Sequence, residues 1–421
     1  MDDLAPEATF AAALGRFFPD GDPLSLGLAV SGGSDSMALL YLAADWARMG
    51  RSVRLEAVTV DHGLRPEAHE EAELVRRAAR ALGISHRRLD WRWDHRGNLQ
   101  DAARRGRYRL LADWARAEGH GSVLLGHTRN DQAETVLMRL SRGSGVDGLA
   151  AMSSERAAHG VRFLRPLIDV SRLDLRRGLN ARGAAWADDP TNDDPAFDRV
   201  RTRRAMAALD LDAERLSETA ARMADARAAL ETMTRHLAAP HLTLEAGDLL
   251  FPQDVFCEAP AEIRHRLLAH LLRWRSGSPY RPRYRPLRAL SEGLVRGRGG
   301  TLHGCFLSVR RGTIRIAREF AAVAKLSTPV AEVWDGYWRV APTDAAEPRA
   351  PAARIRALGR RALDPLPDAV GPRPPRESLM ASPAVFVADT LVAAPLAGLG
   401  HGWSCQPEFT VEDCLGTLLS H

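Results

Sequence analysis

Six residues early in the chain combine hydroxyl groups, glycines and one carboxylate in an order that suits phosphate binding. They follow an apolar run from Leu24 to Val30 and precede a helical pattern that begins near Met37; the six are Ser31, Gly32, Gly33, Ser34, Asp35 and Ser36. A strand, a glycine turn and a helix start leave unpaired backbone N–H groups pointing at an anion. The glycines allow close approach of the backbone, and the serines add hydroxyl donors. The sequence therefore predicts a phosphate-binding loop over residues 31–36.

Asp35 distinguishes this loop from the commonest nucleotide-binding loop. No lysine follows the glycines, so the segment is not the Gly-x-x-x-x-Gly-Lys loop of nucleotide triphosphatases. A carboxylate beside phosphates is repulsive unless a divalent cation bridges them. We therefore expect Asp35 to be a Mg²⁺ ligand.

The string Ser-Gly-Gly-x-Asp-Ser resembles the pyrophosphate-binding (PP) loop of the PP-loop ATP pyrophosphatase superfamily. Enzymes of that superfamily transfer AMP to a carbonyl oxygen of their substrate and release pyrophosphate. The resemblance implies ATP as a co-substrate. An ordinary glycine turn between a strand and a helix is the alternative interpretation.

A second group of candidate residues lies between positions 107 and 134. Asp131 and Glu134 are three apart, so they share one face of the helix predicted there. Such a pair could bind a cationic substrate and accept a proton, although acids also favour the first turn of any helix. His127 follows a predicted strand and could donate a hydrogen bond to phosphate, or be a structural histidine. Arg107 could balance charge in a crevice, or be a solvated arginine.

Five strings in order resemble the bacterial tRNA(Ile)-lysidine synthases, and the likeness covers residues 24–205. Besides the loop they are 61–65, 98–108, 125–145, and 188–192 with its following arginines Arg199, Arg201 and Arg203. That family uses ATP and free lysine to convert the wobble cytidine of the CAU-anticodon isoleucine tRNA into lysidine. ATP adenylates the ring carbonyl oxygen at C2, the lysine ε-amine attacks that carbon, and AMP leaves.

The resemblance implies roles for the matching residues. Asp131 and Glu134 would bind lysine, Arg107 would balance charge on the adenylate, and His127 would contact phosphate or the departing AMP. The arginine series would bind tRNA phosphates or the substrate, unless it is a solvated run. Thr128 and Asn130 depart from the family pattern, which often has a second histidine and consecutive acids there.

The elements that position these residues alternate between strands and helices over the first two hundred residues. This alternation predicts an α/β fold, a parallel sheet with helices on both faces. The family resemblance implies that this fold is adenine-nucleotide alpha-hydrolase-like. Ligands bind at the carboxyl ends of such strands, where Ser31, Asp61 and Gly126 fall. We expect a catalytic domain over 1–205.

Two further regions are expected after the catalytic domain. A mainly helical tRNA-binding domain is expected over 206–298, including a long helical stretch over 205–237. A small α+β C-terminal region for tRNA recognition is expected over 299–421. The Pro-, Ala- and Arg-rich stretch 342–378 is expected to hold a loop or linker.

Composition and charge indicate the kind of partner and the cell compartment to expect. A net charge of +5 and a pI near 9.4 favour a polyanionic partner, although arginine enrichment also occurs with GC-rich genomes. All positive side chains except Lys325 are arginine or histidine. No apolar run reaches membrane-spanning length and no secretion signal is visible, so we expect a cytoplasmic protein without membrane contact. The oligomeric state can be a monomer or a homodimer.

The positions of the cysteines and the set of candidate catalytic residues argue against three alternative functions. A tRNA thiolase of the same superfamily needs cysteines near the loop, whereas the first cysteine is Cys257. An amidating ligase often carries a glutaminase domain with a nucleophilic cysteine, and none is visible at the N-terminus. A non-catalytic RNA-binding protein would not need the full set of Asp35, His127, Asp131 and Glu134.

Overall fold

The computed structural model describes residues 5–19, 24–49, 52–63, 68–93, 99–188, 198–343, 353–366 and 373–419. The chain divides into two compact units, with the boundary between residues 227 and 228. Within the described residues, no helix is both long enough and apolar enough to cross a membrane.

Six described strands of the first unit form one sheet in the order β3-β2-β1-β4-β6-β5. Their bounds are β1 Leu24–Ala29, β2 Val53–Asp61, β3 Ser85–Asp90, β4 Ser122–Leu125, β5 Glu155–Ala158 and β6 Val161–Leu164. Neighbouring strands are parallel except β5, which pairs antiparallel with β6. The predicted parallel sheet is confirmed, and the edge hairpin is an addition to it.

Helices cover both faces of this sheet, as predicted. The helices are α1 Pro6–Phe17, α2 Ser34–Arg48, α3 Ala68–Ala81, α4 Leu99–Ala117, α5 Arg129–Leu140, α6 Val146–Leu149, α7 Arg172–Ala181, α8 Asp198–Ala208 and α9 Ala213–Ala238. Side chains of successive strand residues point to opposite faces. Leu28 accordingly joins a core with Leu39 of α2, while Ala29 joins a second core with Leu111 of α4.

The helical stretch expected over 205–237 consists of two helices with a break between them. Helix α8 ends at Ala208, and Asp210 adopts a positive φ of 51°. Helix α9 then begins at Ala213, where the carboxylate of Asp212 accepts a hydrogen bond from the backbone N–H of Glu214 at 2.9 Å. Aspartate tolerates the left-handed conformation and favours helix starts, so a break here follows from its local chemistry.

The second unit combines helices with small antiparallel sheets, which confirms the predicted class for this part of the chain. After α9 the helices are α10 Gln253–Glu258, α11 Ala261–Ser276, α12 Tyr284–Val295, α13 Phe320–Val323, α14 Gly359–Leu363, α15 Arg376–Met380 and α16 Val411–Gly416. The strands are β7 Thr243–Glu245, β8 Asp248–Pro252, β9 Gly300–Leu302, β10 Cys305–Arg310, β11 Thr313–Arg318, β12 Ser327–Pro329, β13 Trp338–Pro342, β14 Ala353–Ala357, β15 Pro383–Val387, β16 Thr390–Ala393 and β17 Trp403–Pro407.

These strands pair in three sheets, ordered β7-β8-β11-β10-β9, β12-β14-β15-β16 and β13-β17. The first sheet takes strands from both sides of residue 298. Its inner face packs on α11, where Leu267 and Leu271 share a core with Leu307 and Ile316.

The stretch 342–378, expected to hold a loop or linker, contains regular structure in the part that the structure describes. Strand β14 lies within it and pairs with β12 and β15. Ile355 is buried at its centre, and the sequence Ala353-Arg354-Ile355-Arg356-Ala357 alternates small or apolar residues with arginines. That period of two is the signature of a strand, and the surrounding prolines obscured it. Residues 344–352 and 367–372 lie outside the described part.

Candidate active site

A cleft of about 780 Å³ opens at the carboxyl ends of β1 and β4. It brings together most of the residues that the sequence singled out: Ser31, Gly33, Ser34, Asp35, Ser36, Arg107, His127, Asp131, Glu134, Arg199 and Arg203. Gly32 and Arg201 are not among its lining residues. Segments far apart in sequence therefore meet where the parallel sheet places a ligand.

The loop over 31–36 is held in shape by its own hydrogen bonds. The Ser36 hydroxyl donates to the carbonyl of Gly33 at 2.9 Å and accepts from the backbone N–H of Ser31 at 3.1 Å. Gly32 has a φ of 95°, a conformation that side-chain-bearing residues rarely adopt. Helix α2 begins at Ser34, so its first N–H groups face the cleft without helical partners.

Gly126 lets the end of β4 approach the start of α2. A Cβ added there would lie 3.0 Å from Cα of Ser36 and 3.1 Å from the carbonyl oxygen of Asp35. Both contacts are with backbone, which cannot move aside independently. Close approach therefore favours glycine here, and it holds the loop against the end of β4, two residues before His127.

Arg172, which the sequence reasoning missed, joins three carboxylates at the centre of the cleft. Its Nε donates to Oδ2 of Asp35 at 2.8 Å. Its Nη2 lies 3.7 Å from Oδ1 of Asp131, and its Nη1 lies 3.7 Å from Oε1 of Glu134. A single guanidinium thus connects the expected metal ligand with the acid pair.

The position of Arg172 is fixed by the turn that starts α5. Its backbone N–H donates to Oδ1 of Asn130 at 2.9 Å, and Arg129 donates through N and Nε to the carbonyls of Val170 and Asp169. Asn130, a departure from the family pattern, thereby satisfies one of the free N–H groups at the start of α7. Ser171 before Arg172 is the N-cap, and the pair Ser171 and Asp174 is a helix-start signal visible in the sequence.

Two further arginines approach the acid pair from α8. Arg199 donates through Nη1 to Oδ1 of Asp131 at 3.2 Å, and Nε of Arg203 lies 3.1 Å from Oε1 of Glu134. The two residues are four apart and share a helix face. Arg201 lies on another side of α8, where it pairs with Asp198.

The two acids of the pair have different environments. Both Asp131 side-chain oxygens are engaged, because Oδ2 accepts from the N–H and hydroxyl of Thr128 at 2.9 and 3.0 Å. Burial opposes ionisation of Asp131, but the Arg199 and Arg172 guanidiniums outweigh it and lower its pKa. Burial, followed by the charge of Asp131, raises the pKa of Glu134. Asp131 is therefore a fixed anion, and Glu134 is the better proton acceptor.

His127 is held neutral beside the acid pair. Burial, and after it the nearby guanidiniums of Arg165 and Arg107, lower the pKa of His127 to about 3 despite the opposing charge of Asp131. Nε of Arg165 donates to Nδ1 of His127 at 3.2 Å, which assigns the imidazole proton to Nε2. The side chain can therefore offer one N–H to a ligand.

Arg165 is the second important residue that the sequence reasoning missed. Its guanidinium also donates to the carbonyl of Ser153 at 2.6 Å and to the hydroxyl of Tyr108 at 3.3 Å, and the residue is buried. No local signal marks it, because it follows β6 in a segment without a recognisable motif.

A smaller cavity of about 200 Å³ adjoins the cleft and shares Ser31 and Arg107 with it. One part of its wall is apolar side chains and backbone at the ends of β1 and β2, and the other part is polar and carries Asp61, His62, Glu71 and Arg107. The Thr59 hydroxyl donates to the carbonyl of Val30 at 2.7 Å. Such a narrow pocket beside a phosphate loop suits a planar base.

The donor set of the cleft suits a metal ion that is bound jointly with phosphates. Among the described residues no group of three or more His, Cys, Asp or Glu side chains could hold a metal by itself. Mg²⁺ is commonly held by one or two carboxylates together with substrate phosphates. Asp35, at the loop, supplies one such carboxylate, so the arrangement fits the expected ion.

Comparisons with known proteins identify the family of the chain. Residues 6–209 match the family model described as a PP-loop domain. The tRNA(Ile)-lysidine synthase of Ruegeria pomeroyi is 45% identical over 407 residues, which are 95% of each chain. The tRNA(Ile)-lysidine synthase of Bradyrhizobium sp. strain BTAi1 is 44% identical over 329 residues, 73% of this chain and 90% of the relative. Among solved structures, a U34-tRNA thiolase from Methanococcus maripaludis aligns over 52% of this chain and 78% of its own, with a TM-score of 0.45 and 16% identity.

Proposed function

The chain belongs to the tRNA(Ile)-lysidine synthases, and we propose that it ligates free lysine to C2 of the wobble cytidine in the CAU-anticodon isoleucine tRNA. The observation that carries the proposal is the junction of the 31–36 loop with the buried pair Asp131 and Glu134 in one cleft. A site that binds an anion lies beside a site that binds a cation, which suits the joint binding of ATP and lysine. The chemistry would proceed through an adenylated tRNA, with release of pyrophosphate and then AMP.

In the first step the loop would bind the ATP phosphates through the N–H groups at the start of α2. The adenine would enter the smaller cavity at the ends of β1 and β2. The C2 carbonyl oxygen of cytidine would attack the α-phosphorus, and the bond from that phosphorus to pyrophosphate would break. Arg107 and the Nε2–H of His127 would stabilise the negative charge that develops on the α-phosphate.

Asp35 would hold Mg²⁺ together with the phosphates. When bound, the ion would neutralise phosphate charge during the transfer. Arg176, one turn after Arg172, donates to the Ser34 hydroxyl at 3.2 Å and would add a cation at the same loop. No acid other than Asp35 comes from the loop itself.

In the second step Asp131 and Glu134 would hold the side chain of the lysine substrate. The ε-amine must lose a proton before it can attack, and Glu134 would accept that proton because its pKa is raised by burial. The amine nitrogen would then bond to C2 while the bond from C2 to the AMP oxygen breaks. Asp131 would remain an anion throughout, because its oxygens are held by Thr128 and Arg199.

The tRNA would bind through positive charge on several parts of the chain. Arg199, Arg201 and Arg203 would face tRNA phosphates or the substrate, residues 206–298 would form the helical tRNA-binding domain, and residues 299–421 would select the tRNA. Residues 1–205 would be the catalytic domain. The reaction would take place in the cytoplasm, in a monomer or a homodimer.

Thiolation is the main alternative, because it would share the loop and the basic surface. None of the side chains that line the described cleft is a cysteine, and all four cysteines of the chain lie in the second unit. Sulfur transfer generally uses cysteine thiolates or a cluster that they hold. An amidating ligase would instead need an ammonia source.

The test is incorporation of labelled lysine into a transcript of the isoleucine tRNA with a CAU anticodon. Incorporation should require ATP, and an elongator methionine tRNA, which shares that anticodon, serves as the control. Lysine entering the methionine tRNA equally well would refute the specificity, and no incorporation into either tRNA would refute the proposed reaction. Asp35→Ala, assayed in parallel, should be inactive.

A further inference from the structure

The side chain of Arg172 occupies the place where the two halves of the proposed reaction meet. Its guanidinium contacts Asp35 on the nucleotide side and Asp131 and Glu134 on the lysine side. The contact with Asp35 is a hydrogen bond at 2.8 Å, whereas both contacts with the acid pair are ion pairs at 3.7 Å. Arg172 therefore binds the acid pair more weakly than it binds Asp35.

Charge balance makes this position significant. Three carboxylates, those of Asp35, Asp131 and Glu134, face three guanidiniums, those of Arg172, Arg199 and Arg203. A lysine ammonium that entered this largely buried cluster would add an unbalanced positive charge, which is costly away from water. A bound nucleotide would supply the missing negative charge from its phosphates.

The geometry allows Arg172 to respond to that negative charge. The backbone of Arg172 is anchored by Asn130, but its side chain is 23% exposed and lines the open cleft beside the loop. If the Asp35 carboxylate binds a metal ion instead, Arg172 loses its closest partner. The phosphates at the loop then become the nearest strong anions. Rotation of the side chain would then remove one of the two guanidiniums beside each acid of the pair, while Arg199 stays at Asp131 and Arg203 stays at Glu134.

We propose that Arg172 couples the two binding events: it occupies the acid pair in the free enzyme and moves to the phosphates of bound ATP, so that lysine binds tightly only after the nucleotide. The proposal rests on the function given above, in which Asp131 and Glu134 receive lysine. Coupling between binding sites is reciprocal, so lysine must strengthen nucleotide binding by the same factor. Arg172 is thus a positioning residue, and its signature is the coupling between the two affinities.

The experiment measures lysine affinity by equilibrium dialysis of labelled lysine with the full-length enzyme and the isoleucine tRNA transcript. Each titration is run with and without Mg²⁺ and an ATP analogue that cannot be cleaved between its α- and β-phosphates. For the wild type, the nucleotide should strengthen lysine binding by roughly tenfold or more. In Arg172→Gln, lysine should bind more tightly without nucleotide, and the coupling factor should fall towards one.

Arg177→Gln is the matched control, because Arg177 lies on the same helix, is exposed and pairs with Asp174. It should keep the wild-type coupling. Arg172→Lys, which keeps the charge but loses the planar fork, should show intermediate coupling and serves if the glutamine variant does not fold.

The outcomes separate this inference from the proposed function. Wild-type enzyme that binds no lysine under any condition contradicts the proposed amine site, and the inference falls with it. Lysine binding that ignores the nucleotide in the wild type overturns the inference alone. So does coupling that is unchanged in both Arg172 variants.

Discussion

Arg165 determines which nitrogen of His127 carries the proton. Its Nε donates to Nδ1 at 3.2 Å, so the neutral imidazole keeps its proton on Nε2, the atom left for a ligand. Since burial and the surrounding guanidiniums lower the pKa of His127 to about 3, the ring is not protonated near neutral pH. It can act as a hydrogen-bond donor but not as a general acid.

We expect the low pKa of His127 to destabilise the fold in acid. Between about pH 6.5 and pH 3 the unfolded chain binds a proton at this residue and the folded chain does not, so stability falls as the pH falls. His127→Gln keeps an N–H donor and removes the titration. Between pH 7 and pH 5, the wild type should lose about 2 kcal/mol more of its free energy of unfolding than this variant. Equal losses in urea unfolding experiments would contradict the assigned environment.

Replacing Glu134 should separate the two steps of the reaction. Glu134→Gln keeps the size of the side chain but cannot accept the proton from the lysine amine. Lysine incorporation should fall by roughly 100-fold or more, while tRNA-dependent exchange of label between pyrophosphate and ATP is retained. An unchanged dependence on lysine concentration and an unchanged rate would count against the assigned role.

Asp35→Ala should abolish exchange between ATP and pyrophosphate, because the variant loses the carboxylate expected to hold Mg²⁺. The fold should persist, since Arg172 keeps its ion pairs with Asp131 and Glu134. Thermal unfolding of the variant measures whether the fold persists. Full exchange activity at ordinary Mg²⁺ concentration would show that another group holds the metal.

Gly126→Ala should distort the phosphate loop from the outside. The new methyl group would press on backbone atoms of Ser36 and Asp35 at 3.0–3.1 Å, and we expect a loss of about 1–3 kcal/mol in the free energy of unfolding. ATP affinity should fall with it. Gly121→Ala, at the other end of β4, meets nothing within 4 Å and is the control. If both variants bind ATP like the wild type, the close approach is unimportant.

Asn130 should matter through its hydrogen bond to the first backbone N–H of α7, whose N-cap is Ser171. Asn130→Ala removes the acceptor for the backbone N–H of Arg172, and we expect a cost of about 1 kcal/mol in the free energy of unfolding. Asn130→Asp retains an oxygen at that place and should be close to the wild type. Chemical denaturation of the three proteins measures the difference. An aspartate variant as unstable as the alanine variant would argue against capping.

Local signals made the loop and its sheet predictable from the sequence. The strand, the glycines and the helix start of residues 24–48 are consecutive, and so are the residues that place Asp131 and Glu134 on one helix face. Each of these inferences needed only the period of a strand or helix and the preference of glycine for tight turns. The structure agrees with them within three residues.

The arginines that surround the acids were harder to predict, because their partners are distant in sequence. Arg172 meets Asp35 across 137 residues, and Arg165 meets His127 across 38. Neither pairing has a local pattern, since ion pairs across a fold depend on which strand ends lie side by side. The helix α8 similarly separates Arg201 from Arg199 and Arg203, although the three alternate in the sequence.

The hydrogen bonds inside the 31–36 loop and its contact with Gly126 have an entropic consequence. A loop that is already ordered by Ser36 and by the end of β4 has paid its conformational cost when the protein folds. Nucleotide binding then needs little further ordering of the backbone, and the rearrangement is confined to side chains such as Arg172. The phosphate site is therefore preorganised, and the adaptable part of the cleft is its layer of arginines.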